Sequence, residues 1–167
     1  EFVTDKTGDY SMEVQSDVDY RVHTIKKDAY LNGVSTLDIV MIQRHILGLE
    51  TFADPYQLIA SDANNDGLIS ASDLTEIRKV ILGVKSEFKN ESWRFPIKNQ
   101  TMSMPNVMPY NEQYEYVRID DNKVKQDFVA VKIGDVNSSV QLDLRQPSTE
   151  QRTNNSLVLG VEARSFV

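Results

Sequence analysis

The chain has 167 residues, 40% of them apolar and 26% charged, which suits a folded domain with a real core and excludes wholesale disorder. Its formal net charge of -7 argues against a nucleic-acid surface, which needs a basic face. The absence of cysteine removes disulfides, thiolate zinc sites and cysteine nucleophiles, and no apolar run approaches the roughly 20 residues that span a bilayer.

Residues 11–27 (SMEVQSDVDYRVHTIKK) alternate loosely and predict strand, with Glu13, Asp17 and Asp19 on a solvated face. A repeat follows. Residues 35–50, STLDIVMIQRHILGLE, return at 70–85 as SASDLTEIRKVILGVK. Six positions are identical: Ser35/Ser70, Asp38/Asp73, Ile42/Ile77, Ile46/Ile81, Leu47/Leu82 and Gly48/Gly83. Each copy predicts a helix. The serine caps it, the acid three residues later completes a capping box, and the glycine stops it. Ile39, Ile42, Ile46 and Leu74, Ile77, Ile81 recur at helical spacing. Val40 and Met41 stand where the second copy has Thr75 and Glu76, so helix one is expected to be the more buried. His45 is read as a partly buried packing residue of that helix. Asp54-Pro55 opens a short helix to Ala60.

Beyond the repeat, Trp93 is expected to bury its ring and anchor the chain. Residues 95–112, with Pro96, Pro105 and Pro109, read as a long loop. Residues 113–119 (QYEYVRI) and 127–133 (DFVAVKI) alternate as half-buried strands, with a hairpin turn at Asp120, Asp121 and Asn122. Residues 144–155 read as a polar linker and 156–163 as a strand opening a neighbouring domain. No signal peptide is visible, and a mature segment or a piece of a larger protein is expected. The segments are therefore 1–27, an N-terminal strand region; 28–85, the loop-helix pair; 86–143, a β-rich extension packed on it; and 144–167, linker and start of a next domain. The fold class is α+β.

The twelve residues from Asp62 to Asp73 carry the clearest chemistry. Calcium takes six to eight oxygens, and loops of this length supply them from positions 1, 3, 5, 7, 9 and 12. Here those are Asp62, Asn64, Asp66, the Leu68 carbonyl, Ser70 and Asp73, with Gly67 at the sharp turn. Ser70 is short enough to need a bridging water. Ile69 is placed to pack inward. The bland alternative is an Asn/Asp/Gly-rich turn that caps a helix without metal.

NGVSTLDIVMIQRHILGL followed by SDANNDGLISASDLTEIRKVILGV resembles type I dockerin modules. With SWRF and DFVAVKIGDVN, the chain looks like the dockerin-related segment of secreted or surface proteins of Bacteroidetes. The resemblance implies an EF-hand-like duplicated loop-helix pair with flanking antiparallel strands. It also implies Ca2+ as cofactor, a non-catalytic role in docking or interdomain support, and a cohesin-like or neighbouring-domain partner. The location would be secreted or cell surface, on a multidomain, polysaccharide-associated protein. Thr36, Leu37, Ala71 and Ser72, with Arg44 and Lys79, would face the partner. Thr36/Ala71 and Leu37/Ser72 break the symmetry of the duplication.

The first loop departs from the pattern. Counting back from Asp38 puts Lys27 at position 1 and Ala29 at position 3, and a loop begun at Asp28 is one residue short. Two readings stay open. Either the site is lost and its helix survives for packing, or Asp135 and Asn137 fold back beside Asn32 and Asp38 and bind a second ion. A different functional class also stays open: a carbohydrate-binding or enzyme-accessory domain with structural calcium, using Tyr110, Tyr114 and Tyr116 for stacking. No serine–histidine–acid pattern and no glycine-rich phosphate loop is present, so no catalytic residue and no organic cofactor is expected.

Overall fold

The computed structural model describes residues 2–5, 7–26, 30–141 and 158–164. Among the described residues nine elements follow one another. They are β1 (Phe2–Val3), β2 (Asp19–Ile25), α1 (Thr36–Ile46), α2 (Pro55–Ser61) and α3 (Ala71–Ile81), then β3 (Trp93–Arg94), β4 (Gln113–Tyr116), β5 (Val131–Lys132) and β6 (Val158–Arg164). One antiparallel sheet has the order β1-β6-β2-β4; a two-stranded sheet pairs β3 with β5. The class is α+β.

The three helices start as their sequences dictate. Ser35 and Ser70 both complete capping boxes, with Asp38 and Asp73 reaching back to the cap nitrogens. Asp54 caps α2 by accepting from Tyr56 N at 2.9 Å, and Pro55 occupies the first turn, where no N–H is needed. Asp54→Ala is expected to cost about 1 kcal/mol in a denaturant titration, because one N-terminal donor loses its partner.

The core joins the helices to the later chain. Ile42 and Ile77 are fully buried on facing sides of α1 and α3, with Leu58 and Ile59 of α2 and Ile133 and Val136 beyond β5. Backbone bonds fasten this seam: Ile133 N donates to Ser92 O at 3.1 Å and Gly134 N to Ala60 O at 2.7 Å. Trp93 is buried, as its sequence context predicts. His45 is half-buried, stacks on Phe52 at 4.6 Å and accepts from Phe52 N at 3.1 Å.

The order of helix burial reverses the expectation. Val40 is 49% exposed, like its counterpart Thr75, while Glu76, the counterpart of the half-buried Met41, is 5% exposed. Glu76 stays charged there because Lys85 Nζ donates to it at 2.8 Å and Lys79 lies at 3.6 Å. The Lys85 hydrogen bond, helped by the charges of Lys85 and Lys79, holds its carboxyl below the usual range against the opposing effect of burial. A lowered folded value adds stability above the ordinary value of 4.5, and that stability is lost as pH falls through the folded value. Glu76→Gln should therefore cost about 1 kcal/mol at neutral pH, and thermal melts should show the gap closing as pH falls below the ordinary value of 4.5.

The strands also differ in partnership from the sequence reading. Residues 113–116 and 131–132 lie in different sheets, so Asp120–Asn122 does not close a hairpin between them. β4 pairs with β2, in the register Tyr20 to Tyr116 and Val22 to Tyr114. β6 pairs with β2 and β1 in this same sheet, where a strand of a neighbouring domain was expected. The linker expected at 144–155 lies outside the described residues.

Candidate metal centre

α2 ends at Ser61 and α3 begins at Ala71, and the loop between them folds on its own carboxylates. Asp62 is 3% exposed; its Oδ1 accepts from Asp66 N at 3.1 Å and its Oδ2 from Gly67 N at 3.0 Å. Asp73 is fully buried; its Oδ1 accepts from Asn64 N at 3.2 Å and its Oδ2 from Ser70 N at 2.9 Å. Asp66 Oδ1 accepts from Leu68 N at 2.9 Å. Asn64 links the two ends, donating to Asp66 Oδ2 at 2.7 Å and to Ser72 Oγ at 2.6 Å. Gly67 makes the turn at φ +81°, a backbone conformation that glycine adopts without a Cβ clash. Ile69 is partly buried against the core. The loop is fixed from outside by Asn90, whose Nδ2 donates to the Asp62 carbonyl at 2.7 Å.

The electrostatics are those of concentrated negative charge. Burial pushes the carboxyls of Asp62 and Asp73 up, partly offset by the backbone donors, and the neighbouring aspartates push the same way as burial. Among the described residues no cation forms an ion pair with Asp62, Asp66 or Asp73. Arg94 feels the charge of Asp62 but spends its guanidinium on Glu112, with Nε to Oε1 at 2.9 Å. The donors are all hard oxygens, and three are carboxylates within one turn of chain, which suits calcium. No group of three or more histidine, cysteine or acidic side chains stands out as a metal cluster among the described residues. Asp62, Asp66 and Asp73 form no such cluster by themselves, and an amide, a hydroxyl and a backbone carbonyl complete the donor set of this loop pattern.

Asp38 and Asp135, far apart in sequence, meet at the start of α1. Asp38 is fully buried and Asp135 is 5% exposed. Val136 N donates to Asp38 Oδ1 at 3.0 Å. Asn137, two residues beyond Asp135, has a buried Oδ1 that accepts no hydrogen bond. Asn32 reaches the end of the same late segment, its Nδ2 donating to the Gln141 carbonyl at 3.1 Å. Ser139 and Gly33 join this region without having been singled out in the sequence: Ser139 Oγ donates to the Gly33 carbonyl at 2.9 Å. Their signal was available as a count of twelve split over two segments. Residues 27–29 lie outside the described residues, so Lys27, Asp28 and Ala29 are not placed.

The tyrosines considered for sugar stacking are engaged within the protein. Tyr114 and Tyr116 lie parallel at 6.2 Å, Tyr114 meets Phe128 edge-on at 5.2 Å, and Arg94 sits over the Tyr110 ring at 5.7 Å. Among the described residues no helix is long and apolar enough to cross a membrane.

Residues 32–82, 51 of the 167, match the family model of the dockerin type I domain. This stretch is a dockerin-like module. The match takes in α1, α2, the 62–73 loop and α3, and stops where Leu82 caps the last helix. Dockerin type I domains are non-catalytic docking modules that typically bind Ca2+ and cohesin domains, and they occur in extracellular proteins. No curated protein and no solved structure matches the chain.

Proposed function

We propose that the chain is a calcium-dependent, non-catalytic docking or spacing module of a secreted or cell-surface protein, with the 62–73 loop as its calcium site. Asp62, Asn64, Asp66, the Leu68 carbonyl, Ser70 and Asp73 would supply the oxygens. The observation that carries the reading is a pair of buried carboxylates, Asp62 and Asp73, in one loop inside the dockerin-like match, with no ion pair to either among the described residues. Burying charge in this way is costly unless a counter-ion is present. Calcium supplies that charge and no covalent chemistry.

The partner is a cohesin-like domain or a neighbouring domain of the same protein. Thr36, Leu37, Ala71 and Ser72 are all exposed where α1 and α3 begin, and Leu37 offers an apolar side chain that is 55% exposed. Arg44 is exposed and already pairs with Glu50 at 3.0 Å, which makes it a rim residue of such a face. The two starts are related by the repeat but differ in side chain, so one docking orientation should dominate.

The test is capture of cohesin-type domains by the immobilised chain in calcium and again in chelator. Calcium-dependent capture that Leu37→Asp abolishes supports docking. No capture, with a melting temperature that still depends on calcium, favours interdomain support. Neither capture nor calcium dependence sinks the reading.

A further inference from the structure

We propose a second calcium site, split between two distant segments: residues 135–140 supply the first half of a loop and residues 33–38 the second. The choice of calcium rests on the reading of the 62–73 loop. The site itself rests on separate residues.

The two halves, six residues each, reproduce that loop in register. Ser139 N donates to Asp135 Oδ1 at 3.0 Å, as Asp66 N does to Asp62 Oδ1 at 3.1 Å. Val140 N donates to Asp135 Oδ2 at 2.7 Å, as Gly67 N does to Asp62 Oδ2 at 3.0 Å. Ser35 N donates to Asp38 Oδ2 at 2.8 Å, as Ser70 N does to Asp73 Oδ2 at 2.9 Å. Ser138 has φ 57° where Asn65 has φ 60°. The break falls between positions 6 and 7, at Val140 and Gly33, whose backbones touch.

A hydrogen-bonded turn alone would not call for an ion. The independent observation is Asn137. Its Oδ1 is buried and accepts no hydrogen bond, and it occupies position 3, where the 62–73 loop has the Asn64 amide. A buried acceptor left without a donor costs on the order of 1–3 kcal/mol. A cation would satisfy it. Asp38 and Asp135 add two buried carboxylates that have no ion pair among the described residues. With Ser139 Oγ, the Gly33 carbonyl and Ser35 Oγ, the set offers six oxygens, the lower end of what calcium takes, and water can add more. The short serines and mixed donors suit calcium's flexible shell better than magnesium's tight octahedron.

An ion here would do more than fill a loop. It would bridge the chain after β5 to the first turn of α1, so the β-rich extension and the dockerin-like module would share one metal.

The test is isothermal titration of the full chain with calcium chloride after chelator treatment, with a thermal melt of each variant as a check on folding. The expected result is two ions in the wild type and one in Asp62→Ala. Asn137→Ala removes no hydrogen bond of the described structure, so its fold should persist; one of its two sites should weaken by about tenfold or more. Magnesium at the same concentration should displace neither ion. One ion in the wild type and none in Asp62→Ala would overturn the split site and leave the first loop standing. One ion kept by Asp62→Ala and lost in Asn137→Ala would support the split site and sink the first. Two ions with both affinities unchanged in a folded Asn137→Ala would overturn this ligand set, and no binding at all would overturn both.

Discussion

Chelation of the calcium-loaded chain is expected to lower its melting temperature by about 10 °C for each ion removed. A ligand that binds only the folded state stabilises it by about 4 kcal/mol when its concentration is a thousandfold above Kd. For a chain of this size, each kcal/mol moves the midpoint by about 2–4 °C. The residues explain why the folded state should bind so selectively. Asp62 and Asp73 come to one point only because α2 ends at Ser61 and α3 begins at Ala71. Both are buried there, and burial resists their ionisation. An unfolded chain holds neither geometry nor burial and has little claim on the ion. Asp62→Ala should reproduce most of one ion's loss without chelator, and further chelation should then remove only what a second site contributes. Differential scanning fluorimetry at matched ionic strength checks both steps. No shift on chelation would remove calcium from the account of this fold.

Local features were legible in the sequence, and pairings were not. The helices α1, α2 and α3 lie within a residue or two of the sequence expectation, because capping serines, Asp54-Pro55 and the stop glycines act within one turn. The twelve-residue loop was legible for the same reason: all its oxygens sit within one short stretch of chain. Burial of α1 against α3 was misread because Val40 looks like a core residue, whereas its direction is set by the neighbours that α1 meets. Glu76 looks like a surface residue and is covered by Lys85, nine positions on. Strand partners were least legible. Period-two alternation marks a strand but carries no address, so nothing in QYEYVRI says that its partner is β2, some ninety residues earlier. The meeting of Asp38 with Val136, 98 positions apart, was visible only as a missing half-loop in one place and a spare half-loop in another.

That meeting gives the other large effect. Gly33→Ala is expected to destabilise the chain by about 3 kcal/mol, with Gly83→Ala as a control costing about 1 kcal/mol. Both glycines have positive φ, +80° and +68°, so alanine carries the left-handed penalty of roughly 1–2 kcal/mol at either. Their surroundings differ. A Cβ at Gly83 meets nothing within 4 Å, while one at Gly33 would lie 2.6 Å from Asp135 Oδ2 and 2.7 Å from the backbone of Val140. The side-chain oxygen could move, but the Val140 backbone is held by its own bond to Asp135 at 2.7 Å. The substitution must therefore push the 135–140 segment off α1, and the Ser139 bond to the Gly33 carbonyl goes with it. Chemical denaturation of both variants reads the difference directly. Equal costs at the two positions would mean that the 135–140 segment does not pack on residue 33 in solution. A larger cost at Gly33 would locate the close approach where the two halves of the chain meet, and hydrogen exchange at Ser139 N and Val140 N should then speed up in Gly33→Ala while Asp66 N and Gly67 N keep their protection.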